Sequence, residues 1–379
     1  MSVLQLQFEV NNNTSPRTQN PEQSFCYIIL IVMFSPSFRI TNKILTNISK
    51  IEAAAEVIRH SPLLPLWEKQ FKEDAIVRSV YHGTHIEGNM LAKDEAKDIL
   101  LGKEVMGRSR DIQEIINYRK VIEFIDEEAK KKIEKFTEPL IKKIHRLIAN
   151  NVLSQELVGE YRLKQVVIRN SQTGEVTFRP PPPVEVPFLM REFIYWLNRN
   201  DKDELHPILK AGIAHHELVR IHPFIDGNGR VARALATLIL FLGGYDIRRF
   251  FSLEEYYDRD AVTYYENLGK ATAGDITSWL EYFVYGAAVE FEKIKEKILK
   301  LSKDVKLKEK FGGQQIFLGE RQMQIIEYLQ EIGYLQNQSF KTLFSDISED
   351  TVLRDLQDLI KKGLIKKVGS TKSARYVMV

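Results

Sequence analysis

His222-Pro223-Phe224-Ile225-Asp226-Gly227-Asn228-Gly229-Arg230-Val231-Ala232-Arg233 is the stretch whose residue types could do chemistry together. It sets an imidazole, a carboxylate, two glycines around an asparagine, and two arginines within one short loop and the helical turn after it. Gly227 and Gly229 free the backbone for positive φ and can aim N–H groups at an anion. Arg230 and Arg233 are three apart and share one face of a helix. The N-terminal end of that helix adds its dipole to the anion site. Asp226 can hold Mg²⁺ beside phosphates. His222 can accept a proton near neutral pH. Residue chemistry alone therefore reaches a loop that binds phosphate and magnesium with a base beside it.

The stretch resembles the signature of the Fic family, HxFx(D/E)GNGRxxR, with every fixed position filled. The resemblance implies a protein adenylyltransferase that moves AMP from ATP to a Tyr, Thr or Ser hydroxyl of a protein target. His222 is then the catalytic base and Asp226 the Mg²⁺ ligand. Asn228, the N–H groups of Gly227 and Gly229, and Arg230 cradle the phosphates, and Arg233 takes the γ-phosphate. The same site could instead remove AMP or transfer another phosphate-linked group. A nucleotide-sensing DNA-binding regulator is the reading from another class, although a pure sensor has no need of the base. P-loop enzymes and kinases are disfavoured, because no GxxxxGK(S/T) and no HRD–DFG pair occurs. A zinc hydrolase is disfavoured too: His215 and His216 are adjacent, and no HExxH occurs.

The elements that must position this loop are mostly helical. Ile208 to Ile221 reads as the helix that leads into His222, and Val231 to Leu242 as the helix that leaves the loop, ended by Gly243-Gly244. Ile40–Arg59, Leu66–Glu87, Leu91–Leu101, Ser109–Ala129, Pro139–Asn150, Val186–Asn198, Asp260–Thr272 and Ile276–Lys300 complete the helical body. Val166 to Phe178 breaks the pattern as a β-hairpin around Asn170–Gly174, with Pro180 to Pro183 extended after it. The hairpin resembles the Fic flap, which pairs with a target strand; by that resemblance Val176, Thr177 and Phe178 lie nearest the nucleotide. Tyr264, Tyr265 and Thr272 resemble the family's adenine and ribose pocket. Ile86-Glu87-Gly88-Asn89 resembles the end of the inhibitory motif (S/T)xxxE(G/N). The resemblance implies that Glu87 forms a bidentate pair with Arg233 and blocks the γ-phosphate seat. Gly83 stands where that motif has Ser or Thr, with Thr84 next, so a looser inhibitory helix is expected.

A fold class of mainly α follows, a Fic-type bundle with a hairpin flap, plus an α+β winged-helix domain at the C-terminus. The divisions expected are an extension at 1–32, an N-terminal helical region with the inhibitory helix at 33–105, and a catalytic core at 106–300. A linker at 301–317 and the winged helix at 318–379 follow. Apolar residues at 44% supply a real core, and a net charge of +3 implies no nucleic-acid partner by itself. The single cysteine, Cys26, excludes an internal disulfide framework and fits a cytoplasmic setting. The apolar run Phe25–Phe34 is too short to span a bilayer and follows no basic segment.

In the C-terminal part, Arg321–Ile332, Ser339–Phe344 and Ser348–Lys362 read as three helices, and Leu364–Val368 and Arg375–Val379 as the wing strands. Val352, Leu356, Leu359 and Ile360 make the apolar stripe of the third helix. Thr351, Arg354 and Asp355 would face outward, with Lys372 and Arg375 on the wing. Winged helices dock on DNA or on protein, and both stay open here, as do a homodimer and self-modification.

Overall fold

The computed structural model describes residues 34–61, 65–169, 176–199, 205–245, 250, 252–271, 274–310, 318–344, 347–369 and 374–379. The expected extension at 1–32, Cys26, Thr272, Lys372 and the hairpin tip Asn170–Gly174 lie outside these residues.

Periodic apolar stretches become helices where polar caps start them. Thr41 accepts from the Ile44 N–H and starts α1 (Asn42–His60). The N-terminal region continues with α2 (Pro65–His85) and α3 (Lys93–Leu100). The body then runs through α4 (Ser109–Lys130) and α5 (Glu138–Ala149), the hairpin β1 (Ile168–Arg169) and β2 (Val176–Phe178), and α6 (Val186–Leu197). It closes with α7 (Pro207–Ile221), α8 (Asn228–Leu240), α9 (Leu253–Arg259), α10 (Ala261–Lys270) and α11 (Thr277–Lys310).

α7 and α8 are buried almost all round, with the polar His215, His216 and Glu217 of α7 and Arg230 and Arg233 of α8 among their buried residues. They pack along each other, and α1 packs along α11. One continuous core joins Ile44 of α1 and Val80 of α2 to Ile298 of α11. The N-terminal helices and the catalytic region therefore share a core, and the expected division near residue 105 separates no packing units.

Several elements depart from the sequence reading. α8 begins at Asn228 rather than Val231, so Gly229 and Arg230 are helical. Val166 and Val167 precede β1 and do not join it, β2 spans Val176–Phe178 as expected, and Pro183 opens a 3₁₀ turn instead of staying extended. α11 continues to Lys310, which makes the first ten residues of the expected linker helical. α9 is a helix the periodicity did not reveal, since it is short. Its signal was local: Ser252 accepts from the Glu255 N–H at the N-cap.

The C-terminal residues have their own core around Ile325, Leu329, Leu356 and Leu359. It is built from α12 (Glu320–Ile332), α13 (Phe340–Leu343), α14 (Glu349–Lys361), β3 (Ile365–Val368) and β4 (Arg375–Met378). β3 and β4 pair antiparallel, and Leu335 adds a bridge to Tyr376. This is the winged-helix arrangement. Val352, Leu356 and Leu359 are buried as expected, but Ile360 is partly exposed at the edge of the stripe. Asp355 does not face outward freely, because Arg321 of α12 binds it at 2.8 Å. Among the described residues, no helix is long and apolar enough to cross a membrane.

Candidate functional site

The loop between α7 and α8 is shaped by its own side chains. α7 ends on His222, whose φ of 52° is left-handed, an uncommon conformation for a residue other than glycine. Asn228 spans the loop: its carboxamide accepts from the Phe224 N–H at 2.9 Å and donates to the Phe224 carbonyl at 2.9 Å. That side chain is thus occupied in closing the loop and is not presented to a phosphate as expected. Phe224 stacks flat on His145 of α5, with ring centroids 3.9 Å apart. His145 accepts from the Gly159 N–H and donates from Nε2 to the Asp226 carbonyl at 3.1 Å. Burial lowers its pKa to about 4 and keeps the ring neutral, so that donor and acceptor stay fixed.

The two glycines act differently from one another. Gly227 has a φ of 79° and makes the turn into α8, while Gly229 is helical. Gly229 is needed for closeness: a Cβ there would run into the Glu87 carboxylate and come within 3.1 Å of Arg233 Nη1. The Gly227 N–H is taken by Asp226 Oδ1 at 2.6 Å, so it does not aim outward. Helix geometry leaves the amides of Asn228, Gly229 and Arg230 without intrahelical partners at the N-terminus of α8, and these form the anion seat. Gly227→Ala should cost roughly 1–2 kcal/mol, because alanine resists the left-handed region. A calorimetric melt should then fall by a few degrees, and an unchanged midpoint would show that the turn tolerates a Cβ.

The arginines sit on the expected face but are already engaged. Arg230 lies 3.2 Å from Glu114, with both side chains buried, and 3.8 Å from Asp226. Glu114 also accepts from Asn89 Nδ2 at 3.1 Å and from Arg110 Nε at 3.1 Å. Arg233 Nη2 donates to Glu87 Oε1 at 2.7 Å and to the Gly83 carbonyl at 2.9 Å. The pair with Glu87 is therefore a single-point contact in place of the expected two-point one. Nη1 and Nε of Arg233 have no acceptor in good geometry, although the Tyr118 and Tyr264 hydroxyls approach the guanidinium. Burial opposes the charge on Arg233, but Glu87 together with Tyr264, Tyr118 and Tyr265 outweighs it and raises the pKa. Gly83 is where α2 touches Tyr118, and a Cβ there would press into its ring. Thr84 turns inward and bonds to the carbonyls of Val80 and Tyr81.

His222 holds its Nδ1 toward the Val219 carbonyl at 3.2 Å. Nδ1–H donates there, which leaves Nε2 with a lone pair. Burial lowers the imidazole's pKa, opposed in part by that hydrogen bond. Asp226 Oδ2 accepts from Arg110 at 2.8 Å. Burial would raise its pKa, but Arg230, the Gly227 N–H and Arg110 together hold it down. Among the described residues, no group of three or more His, Cys, Asp or Glu could hold a metal ion. One ionised carboxylate still fits Mg²⁺, which commonly takes one or two carboxylates and completes its shell with phosphate oxygens and water.

Other expected residues are placed with less consistency. Tyr264 is buried in an aromatic cluster, 4.8 Å from Tyr257 and hydrogen-bonded to His215, and it offers no open face for a purine. Tyr265 is exposed and donates to the Ile86 carbonyl at 3.2 Å, beside Glu87. Val176 is exposed, Phe178 is half-buried, and Ile168 pairs with Phe178 across the hairpin. Residues that the sequence did not single out, Arg110, Glu114, His145 and Arg162, make up much of the site's frame.

Comparison with known proteins matches residues 135–240 to the Fic/DOC family and residues 321–373 to a DeoR-like helix-turn-helix domain. A protein adenylyltransferase Fic of Drosophila grimshawi is 35% identical over 179 residues, covering 47% of this chain and 35% of that protein. One of Nematostella vectensis is 31% identical over 239 residues, covering 62% of this chain and 52% of that protein. The chain thus spans about half or less of the length of these curated relatives. A Fic family protein from Desulfovibrio desulfuricans G20 has the same fold, with a TM-score of 0.61 at 22% identity, over 91% of this chain and 98% of that one.

Proposed function

We propose that this chain, which carries a Fic/DOC domain followed by a DeoR-like helix-turn-helix domain, transfers AMP from ATP to a hydroxyl of a protein target. The observation that carries the reading is His222: a base with Nδ1 occupied and Nε2 left with a lone pair, on the loop that runs into the N-terminus of α8. His222 Nε2 takes the proton of the target hydroxyl. The hydroxyl oxygen bonds to the α-phosphorus as the bond to the bridging oxygen breaks, and pyrophosphate leaves. The helix amides and Arg230 carry the developing negative charge. Arg233 binds the γ-phosphate and lines up the leaving group. Asp226 would hold Mg²⁺, which when bound neutralises phosphate charge. Glu87 pairs with Arg233, and this contact supports reading the resting enzyme as autoinhibited.

The test is label transfer with Mg²⁺ present. Label from α-labelled ATP should pass to protein, and label from γ-labelled ATP should not. Transfer of the γ-label alone would replace adenylyl by phosphoryl transfer.

For the C-terminal domain we infer DNA contact through α14 and the wing. Of the four acids on α14, Asp355 is paired with Arg321 and Asp358 with Lys362, while Glu349 and Asp350 are exposed in its first turn. Arg354, Lys366, Lys367 and Arg375 are exposed. Affinity for duplex DNA should fall linearly on a log–log plot against salt, with a slope of about −0.9 per phosphate contacted. Absence of binding at low salt would assign the domain to protein docking instead.

A further inference from the structure

Arg162 is 2% exposed, and none of its hydrogen bonds goes to a carboxylate. Its Nε donates to the His222 carbonyl at 2.7 Å, Nη2 to the Pro181 carbonyl at 2.6 Å and the Ile221 carbonyl at 3.5 Å, and Nη1 to the Lys164 carbonyl at 3.3 Å. Its own N–H donates to the Pro223 carbonyl at 2.9 Å. Burial lowers its pKa, and only backbone dipoles offset the charge. A buried cation without an anionic partner is costly. What it obtains here is a fork that reads three pieces of chain at once, as a flat guanidinium can and an ammonium cannot.

Those pieces are the incoming leg of the hairpin at Lys164, the outgoing leg at Pro181, and the catalytic loop at His222. The outgoing leg is a proline run, which has no N–H groups and can be anchored only through its carbonyls. Arg162 takes one carbonyl, and Gln165 Nε2 takes its neighbour on Pro180 at 2.9 Å. On the other side, the left-handed φ of His222 brings a strain of order 1–3 kcal/mol that something must hold. Its carbonyl is one of the two shortest contacts Arg162 makes.

We propose that Arg162 is a positioning residue that joins the hairpin to His222 as one unit, so that a target strand paired with β2 reaches the base at a fixed distance. This inference rests on the adenylyl-transfer reading. The charge also acts on the base directly: Arg162 is among the groups that lower the pKa of His222, so its removal should raise that pKa.

The test uses the full chain with Arg162→Gln and Arg162→Lys. Hydrogen exchange should rise together in β1, β2 and Arg179 and at the amides of residues 221, 222 and 224–226, with the rest of α7 and α8 unchanged. The NMR titration of the His222 ring should move upward in Arg162→Gln, and less in Arg162→Lys, which keeps the charge. In the α-label assay, kcat for transfer to protein should fall on the order of 10²-fold in Arg162→Gln, with ATP affinity retained and partial recovery in Arg162→Lys. Faster exchange in only one of the two segments, or exchange raised everywhere, would overturn the coupling. A wild-type chain that transfers no label would overturn the adenylyl-transfer reading, while the exchange and titration results would still decide the role of Arg162.

Discussion

Glu87→Gly should raise the rate of the proposed AMP transfer. The side chain it removes holds Arg233 at 2.7 Å with only 23% of its own surface exposed. A charge-assisted hydrogen bond of this kind contributes about 1.5–3 kcal/mol. Activation of roughly 10- to 150-fold follows, since each 1.4 kcal/mol is tenfold. The effect should be local, because α2 is anchored elsewhere. Arg78 donates to Glu255 at 2.8 Å and to the Phe250 carbonyl at 2.6 Å. Burial pushes Glu255 up, but hydrogen bonds from Lys293 and Arg78 hold it at about 2. His82 and His85 both bind Asp258, at 2.7 and 2.8 Å. Glu87→Gly therefore takes away a carboxylate while leaving its helix docked. A melting temperature close to wild type with higher label incorporation is the expected pair of results. Lower incorporation would mean that Glu87 assists transfer instead of blocking it, whereas a Glu87 that places a water for AMP removal would show as lost release of AMP from labelled protein in Glu87→Gly.

The loop chemistry was legible because it is contiguous. His222, Asp226, Arg230 and Arg233 lie within twelve residues, and the turn and helix they require are local structures. Two assignments within it were altered by tertiary contact. Asn228 is used by Phe224, and Gly229 is required by the approach of Glu87 from α2, not by its backbone conformation. The frame was illegible for the same reason. Glu114 touches Arg230 across 116 positions of chain, and Arg162 touches His222 across 60. An acid or arginine on an amphipathic stretch looks the same whether it is solvated or buried against a partner. The helices of the body were read well where the apolar stripe was long. α9 was missed because seven residues give too few turns for a period to emerge. Tyr264 shows the opposite error: an aromatic assigned to a ligand packs against Tyr257 and His215.

His222 gives the second large effect, and its backbone decides how to measure it. General base catalysis supplies about 10²–10⁴-fold, so His222→Ala should lower transfer by that much while nucleotide affinity persists. Alanine, however, is a poor occupant of a φ of 52°, and some of the loss could come from a shifted loop. Asparagine enters the left-handed region far more readily and has no basic nitrogen. His222→Asn should thus match His222→Ala in lost transfer but keep the wild-type melting temperature. The wild-type pH profile adds a separate check. Burial lowers the His222 pKa, so the ring is neutral and competent above a value below the usual imidazole range. kcat/KM should rise with pH through that lowered value and then level off, and the rise should be absent in both variants. If His222→Asn retained transfer, the proton would have to leave by another route, and Asp226 would be a weak acceptor for it: Arg230, the Gly227 N–H and Arg110 lower its pKa, so the carboxylate holds a proton poorly.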